Sequence, residues 1–155
     1  MSSLTHTVLS ALSAYYAGSI TVPPRFSKRS RTARRLISAP DHEAWLMAWL
    51  PGQGTELHDH GGEHRPSEAG FTVVSGRLRE YAVVPGLFPG LSSREVTAGE
   101  SVAVSPRTVH AVRNDGAEPA VSVHVYAPRL ELMRAYLFDE TGLSLGAIRR
   151  AGADW

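Results

Sequence analysis

The sequence predicts an all-β protein, a barrel or sandwich, with one or two helices in its N-terminal segment. From Ala44 onward, short apolar runs alternate with clusters of Gly, Pro, Asn and Asp, a pattern typical of many short strands joined by turns. The long gaps that repeated βαβ units need are missing from this region. Before residue 40, by contrast, the apolar residues follow a helical spacing.

The length and composition favour one globular domain. The 155 residues predict a single domain over 1–155, in which residues 1–40 are a helical segment packed on the barrel. The net charge of +1 provides no overall field, so we expect neither nucleic acid nor a membrane as a partner. No apolar run approaches the ~20 residues of a membrane span, and no secretory h-region is evident. We therefore expect a cytoplasmic monomer.

The N-terminal segment holds one or two predicted helices. The first, over residues 4–17, is predicted from apolar residues at helical spacing, namely Val8, Leu9, Leu12, Tyr15 and Tyr16. Pro23 and Pro24 prevent its continuation, and residues 27–37 are a second candidate helix. The segment has no Asp or Glu but one Lys and five Arg, which we interpret as a solvated surface, with a transit peptide as the alternative.

Six strands are predicted in the rest of the chain, at residues 45–50, 71–75, 78–84, 101–104, 111–113 and 120–126. Turn signals such as Pro85-Gly86 and Asn114-Asp115-Gly116 separate them. The tail over residues 130–155 fits either a helix face or an edge hairpin.

Three histidines are the candidate metal ligands. His58 and His60 lie two residues apart, and on a strand they project from the same face, close enough to share a metal ion. His110 follows at the start of a later strand. Because the chain has no cysteine, any metal ion must be held by His, Asp or Glu. Imidazole suits Fe, Ni, Cu or Zn, and three neutral ligands leave coordination positions open.

The surroundings of these histidines resemble the two cupin motifs. The first is matched by Gly52, His58 and His60, and the second by Gly99, Pro106, His110 and Asn114, with Thr108 where a glycine is usual. The resemblance implies a double-stranded antiparallel barrel (jelly roll) with a metal ion at its mouth. Many cupins add a glutamate ligand, but Glu63 and Glu68 do not have the common spacing, and we interpret both as residues of a solvated loop.

Residues 120–126 alternate valine with polar residues. One face of this strand is apolar and packs outward, while the other presents Ser122, His124 and Tyr126 in a row. A buried row of this kind costs free energy unless its groups bond to one another or to a site. A satisfied polar interior and a functional site both fit this pattern.

This row and two longer blocks make the chain resemble the cysteine dioxygenases from about Arg34 to Pro128. The blocks are Trp49-Leu-Pro-Gly-Gln-Gly-Thr before His-Asp-His-Gly, and Pro119-Ala-Val-Ser-Val-His-Val-Tyr-Ala-Pro128. The resemblance implies that His58, His60 and His110 bind Fe(II) and that Ser122, His124 and Tyr126 form an outer-sphere relay. It implies L-cysteine and dioxygen as the small-molecule partners and cysteine sulfinate as the product.

The resemblance also assigns residues to the substrate. Members of the family hold the substrate carboxylate with an arginine ahead of the first barrel strands, which places that role at Arg34, with Arg35 as the alternative register. Tyr126 would contact the substrate as well. A guanidinium suits a carboxylate because it offers a bidentate fork. Relatives that act on 3-mercaptopropionate tend to have glutamine at this position, so Arg34 favours cysteine.

Two departures from the family pattern stand out. Animal members carry a cysteine that crosslinks to the tyrosine; the corresponding position here is about Gly70, where bacterial members commonly have glycine, and no crosslink can form. The loop over residues 63–69 is longer than usual. A dioxygenase for another small thiol acid, a non-catalytic ligand-binding cupin, and an isomerase or hydrolase using Zn or Mn are the competing interpretations.

Overall fold

The computed structural model describes the backbone of residues 2–87 and 89–152, and the side chains of residues 7–87 and 89–152. In this part of the chain, one helix is followed by eleven strands. The elements are α1 (Ser2–Gly18), β1 (Thr32–Ser38), β2 (Glu43–Trp49), β3 (Leu57–Asp59), β4 (Glu68–Ser75), β5 (Arg77–Val84), β6 (Gly90–Thr97), β7 (Ser101–Val104), β8 (His110–Arg113), β9 (Ala120–Ala127), β10 (Leu132–Asp139) and β11 (Gly142–Arg150). The predicted all-β fold with an N-terminal helix is confirmed.

The strands form two antiparallel sheets that face each other. The order in the five-stranded sheet is β1-β2-β9-β4-β7, and the order in the six-stranded sheet is β11-β10-β3-β8-β5-β6. Their inner faces share one hydrophobic core, in which Trp45 and Phe71 from the first sheet meet Leu78 and Val112 from the second. Alternation along each strand sends every second side chain into this core, so polar residues in the same phase are also directed inward.

Helix α1 covers the outer face of the five-stranded sheet. Leu9 is buried against Val125 of β9, and Tyr16 packs beside them. Val8 and Tyr15, which belong to the predicted apolar face, are instead exposed. Within the described residues, no helix combines the length and the apolar character that crossing a bilayer requires.

The prediction of a second helix over residues 27–37 is wrong, because Thr32–Ser38 forms strand β1. This strand pairs antiparallel with β2. Its apolar residues follow a helical spacing, but in the strand they divide between two environments, with Ala33 against the core and Leu36 beneath helix α1. Pairing with β2 overrides the local pattern, as tertiary context commonly does.

The remaining differences concern edge strands. All six predicted strands are present, five with shifted ends and residues 101–104 with the predicted ones, but β6 (Gly90–Thr97) was not predicted, because Val96 is its only buried residue. The tail forms the β10–β11 hairpin, which decides between the two alternatives in favour of the edge hairpin. A strand with little buried surface carries no apolar alternation for the sequence to reveal.

Candidate metal centre

Three imidazoles meet inside the barrel. His58 lies on β3, His110 begins β8 directly opposite it, and His60 follows β3. All three side chains are buried, and their candidate ligand nitrogens lie within 4.8 Å of one another. The structure therefore brings together the three histidines that the sequence singled out. No carboxylate joins this group within the described residues.

Hydrogen bonds determine which nitrogen each ring turns inward. The Nδ1 of His58 lies 2.8 Å from the backbone oxygen of Glu56, and the Nδ1 of His110 lies 3.0 Å from Oε2 of Glu80. Because both acceptors need a proton on Nδ1, the Nε2 atoms of these rings carry lone pairs. The Nε2 of His58 lies 3.2 Å from that of His60.

The donor set fits a divalent metal ion. In the described part of the chain, the Nε2 of His110 is buried and makes no hydrogen bond, and such an atom calls for an explanation. A cation bound by the three facing nitrogens supplies one. Three neutral imidazoles suit Fe, Ni, Cu or Zn and leave further coordination positions open.

Burial keeps these ligands in their metal-binding form. The pKa values of His58 and His60 are lowered well below the usual value, first by burial and then by the neighbouring imidazoles. Metal ions bind neutral imidazole, so the site needs no deprotonation at neutral pH. Burial raises the pKa of Glu80, but hydrogen bonds with His110 and Arg94 and their charges outweigh this effect and lower the pKa overall.

The polar row on β9 lies beside the histidines. Its valines face outward, and Val123 and Val125 are fully buried on that side. Ser122 Oγ lies 2.9 Å from Nε2 of His124. The Tyr126 ring meets the His60 ring edge-on, with 5.3 Å between centroids. The structure thus places the phenol next to a candidate metal ligand.

Two aromatic residues of neighbouring strands hold this row in place. The Trp49 indole nitrogen donates to Ser122 Oγ at 2.9 Å. Phe71 stacks on the His124 ring, with centroids 4.9 Å apart and planes 10° from parallel. Burial lowers the pKa of His124 to about 3 and raises that of Tyr126. At neutral pH the imidazole is therefore uncharged and the phenol keeps its proton.

Arg31 is the arginine that faces this site. It lines a small cavity of about 20 Å³ together with the three histidines, His124 and Tyr126, a space that holds one or two water molecules. Its guanidinium carbon lies over the Trp49 ring. Burial lowers the pKa of Arg31, and nearby Tyr126 opposes that effect. The arginine remains cationic at neutral pH.

The prediction that Arg34 reaches the site is wrong. Its guanidinium donates to the backbone oxygens of Val22 and Pro23, at 2.9 and 3.3 Å, outside the cavity. Arg35, the alternative, lies over the Trp45 ring and is exposed. The physical reason is register: β1 is a strand, so Arg34 faces away from the core face that Ala33 contacts. Arg31, just before β1, lies over Trp49.

The assignment of Gly70 to the position beside Tyr126 also needs correction. The residue opposite Tyr126 on β4 is Ala69. A Cβ at Gly70 would lie 2.8 Å from the backbone oxygen of Leu9 in helix α1, so glycine allows the helix to approach the sheet. The side chain facing Tyr126 is a methyl group, and the chain contains no cysteine.

The two glutamates after His60 take no part in the histidine group. Glu63 is exposed, and its backbone N–H donates to Glu131 at 3.2 Å. Glu68 is half-buried at the start of β4 rather than in a loop. Asp59, which alternation directs away from its neighbours, accepts hydrogen bonds from the Tyr136 hydroxyl at 2.6 Å and the Gly61 N–H at 3.1 Å.

Sequence reasoning missed Glu80. It is buried on β5 in the same phase as Leu78, so a charged residue occupies a core-facing position. That signal was present in the predicted strand 78–84, because a buried carboxylate requires a partner. The identity of the partner, His110, depended on the pairing of β5 with β8.

The family model described as cysteine dioxygenase type I matches residues 8–140 of the chain. No curated protein sequence matches the chain significantly. Solved structures do resemble it. The protein TT1209 from Thermus thermophilus is 25% identical with a TM-score of 0.54, covering 68% of this chain and 90% of that one.

Two further solved structures are less similar in sequence. An uncharacterized conserved protein with a double-stranded beta-helix domain from Klebsiella pneumoniae is 22% identical, with a TM-score of 0.53 and coverage of 84% of this chain and 94% of that one. Recombinant oxalate oxidase in complex with glycolate is 18% identical, with a TM-score of 0.54, and the match covers 70% of this chain and 56% of that one. At these identities the likeness shows a shared fold, the double-stranded barrel of the cupins.

Proposed function

We propose that this chain, which belongs to the cysteine dioxygenase type I family, is an Fe(II)-dependent thiol dioxygenase that converts L-cysteine and dioxygen into cysteine sulfinate. One observation carries the proposal: a single small cavity is lined by three histidines, a phenol and a guanidinium. Both atoms of dioxygen end on the substrate sulfur, so the reaction balances without a further reductant.

His58, His60 and His110 would hold the iron through their Nε2 atoms. Fe(II), when bound, supplies the redox chemistry that joins thiol and dioxygen, and the protein positions the reactants. Two of these ligands, His58 and His60, carry no charge of their own at neutral pH, because burial lowers their pKa values. Three protein ligands would leave coordination positions of the ion available to the substrate.

In this proposal Arg31 binds the substrate carboxylate. A guanidinium offers two parallel N–H donors to a carboxylate, which orients it as well as attracting it. Stacking on Trp49 restricts the arginine to one side of the cavity. A cation in a largely enclosed site favours a substrate that carries a carboxylate.

In this proposal Tyr126, which lines the cavity, would donate a hydrogen bond to the substrate. Burial raises its pKa, so the phenol retains its proton at neutral pH. Ser122 accepts a hydrogen bond from Trp49, and its Oγ lies within hydrogen-bonding distance of Nε2 of the neutral His124. His124 and Ser122 thereby hold the row in one orientation, a positioning role.

The test is anaerobic loading of the protein with Fe(II), followed by cysteine and air, with oxygen uptake and sulfinate measured together. We expect one sulfinate formed per dioxygen consumed, and none in His110→Ala. A higher kcat/KM with 3-mercaptopropionate than with cysteine would overturn the substrate assignment. Binding of cysteine without oxygen uptake would indicate a non-catalytic cupin, and activity with Zn or Mn alone would indicate an isomerase or hydrolase.

A further inference from the structure

We propose that Glu80 is a positioning residue that holds His110 in its metal-binding orientation and thereby sets how tightly the three-histidine site retains its metal ion. The inference rests on the metal site of the proposed function, and not on the thiol chemistry. It concerns a residue on β5, a strand that contributes none of the three ligands.

The contact between Glu80 and His110 is direct and enclosed. Ala82 of β5 is the register partner of His110, which brings the carboxylate of Glu80 to the edge of the imidazole. Oε2 of Glu80 lies 3.0 Å from Nδ1 of His110, and both side chains are buried. A buried carboxylate at this distance acts as a strong acceptor, so the ring proton is held on Nδ1 and the lone pair remains on Nε2.

Arg94 holds the other oxygen of the same carboxylate. It lies opposite Glu80 on β6, and its Nη2 and Nε atoms donate to Oε1 at 2.8 and 2.9 Å. These two charge-assisted bonds keep the carboxylate ionised and fix its rotation. Oε2 therefore points at His110 before any metal ion arrives.

The other oriented ligand has a weaker partner. The Nδ1 of His58 is held by the backbone oxygen of Glu56, a neutral acceptor, whereas that of His110 is held by a charged carboxylate. A carboxylate raises the basicity of the imidazole it binds, and the loss of such a partner typically lowers metal affinity. The charged acceptor therefore orients His110 more firmly than the neutral one orients His58.

The experiment measures Fe(II) affinity anaerobically, by competition with a chromogenic chelator, in the full-length protein without thiol or oxygen. We expect Glu80→Gln to raise the Kd about 10- to 100-fold. The matched control is Glu95→Gln on the same strand as Arg94, since Glu95 pairs with Arg77 and Arg79. The control should keep the native Kd. An unchanged Kd in Glu80→Gln would overturn the inference.

A second measurement follows the tautomer directly. Nitrogen-15 spectra of the histidine rings in the metal-free protein should show His110 protonated on Nδ1, and a mixture of tautomers in Glu80→Gln. A purely structural role for Glu80 would leave this signature unchanged, and that result would contradict the inference.

The third variant tests the same contact from the surface. Arg94→Gln removes the two donors to Oε1 without touching His110, and because the Arg94 side chain is about half exposed, we expect this variant to fold even if Glu80→Gln does not. We expect Arg94→Gln to raise the Kd for Fe(II), but by less than the 10- to 100-fold rise expected for Glu80→Gln. A native Kd in Arg94→Gln would refute the role of Glu80. If the protein binds Fe(II) as described but oxidises no thiol, the proposed function is wrong while this inference stands.

Discussion

The guanidinium carbon of Arg31 lies 5.4 Å from the centre of the Trp49 ring. The same indole donates its N–H to Ser122 at 2.9 Å, so one side chain supports both the cavity's cation and the polar row of β9. A cation over an aromatic face contributes about 0.5–2 kcal/mol, more when it is desolvated. Trp49 therefore couples the position of Arg31 to that of Ser122.

Replacing Arg31 should weaken substrate binding. We expect Arg31→Met to raise the KM for cysteine about 10- to 100-fold, because a hydrogen bond to a charged group contributes about 1.5–3 kcal/mol. Arg34→Met is the matched control, since Arg34 bonds to backbone oxygens outside the cavity. Steady-state kinetics of both variants show which arginine binds the substrate carboxylate. A raised KM in Arg34→Met alone would assign that role to Arg34, as the sequence predicted.

Removal of a histidine ligand should abolish iron retention. His58→Ala and His110→Ala each leave two imidazoles, which is too few for a stable three-ligand site. We expect iron analysis after gel filtration to find none in these variants. His64→Ala removes a histidine that is 75% exposed and lies outside the group, and it should retain iron as the native protein does. Full iron content in His110→Ala would exclude the site.

Loss of the Tyr126 hydroxyl should slow turnover without loss of metal. Tyr126→Phe keeps the ring against His60 and removes only the hydrogen-bond donor, so we expect native iron content and about 10²-fold lower kcat. Tyr81→Phe is the control, because that phenol bonds to Asp115 at the surface. Native kcat in Tyr126→Phe would refute a role for the hydroxyl.

Acid should destabilise the metal-free protein in a defined pH range. His124 has a pKa of about 3 in the folded protein, against 6.5 when unperturbed. Below pH 6.5 the unfolded chain therefore binds a proton that the folded chain does not, so stability is full above pH 6.5 and falls as the pH decreases toward 3. His58 and His60 act in the same direction.

Urea denaturation at several pH values measures this loss. The loss in the free energy of unfolding that His124 causes should reach about 2 kcal/mol near pH 5. His124→Gln should lose that much of the pH dependence. The same pH dependence in His124→Gln and the native protein would show that His124 is protonated in the folded state.

A side chain at Gly70 should push helix α1 away from the sheet. In Gly70→Ala the new Cβ would lie 2.8 Å from the Leu9 backbone oxygen, which neither element can avoid by a side-chain rotation. We expect a loss of about 1–3 kcal/mol in the free energy of unfolding. Gly18→Ala, whose Cβ would meet nothing within 4 Å, is the control, and calorimetry that finds both equally stable would contradict this packing.

Much of the metal site follows from local periodicity. His58 and His60 share a face because they are two residues apart, and the row on β9 faces inward because valines occupy the alternate positions. Both relationships are properties of a single strand, so they can be predicted before any pairing is known. Edge strand β6 could not be predicted in this way, since it buries only Val96.

The sequence by itself determined the fold class, the three histidines and the row of Ser122, His124 and Tyr126, because side-chain alternation is set by the strand's own geometry. Only the tertiary structure decided that Arg31 rather than Arg34 faces the cavity, that Ala69 lies opposite Tyr126, and that Glu80 holds His110. Each of these depends on the register between strands that are distant in sequence, and a shift of one residue reverses which side chain faces inward.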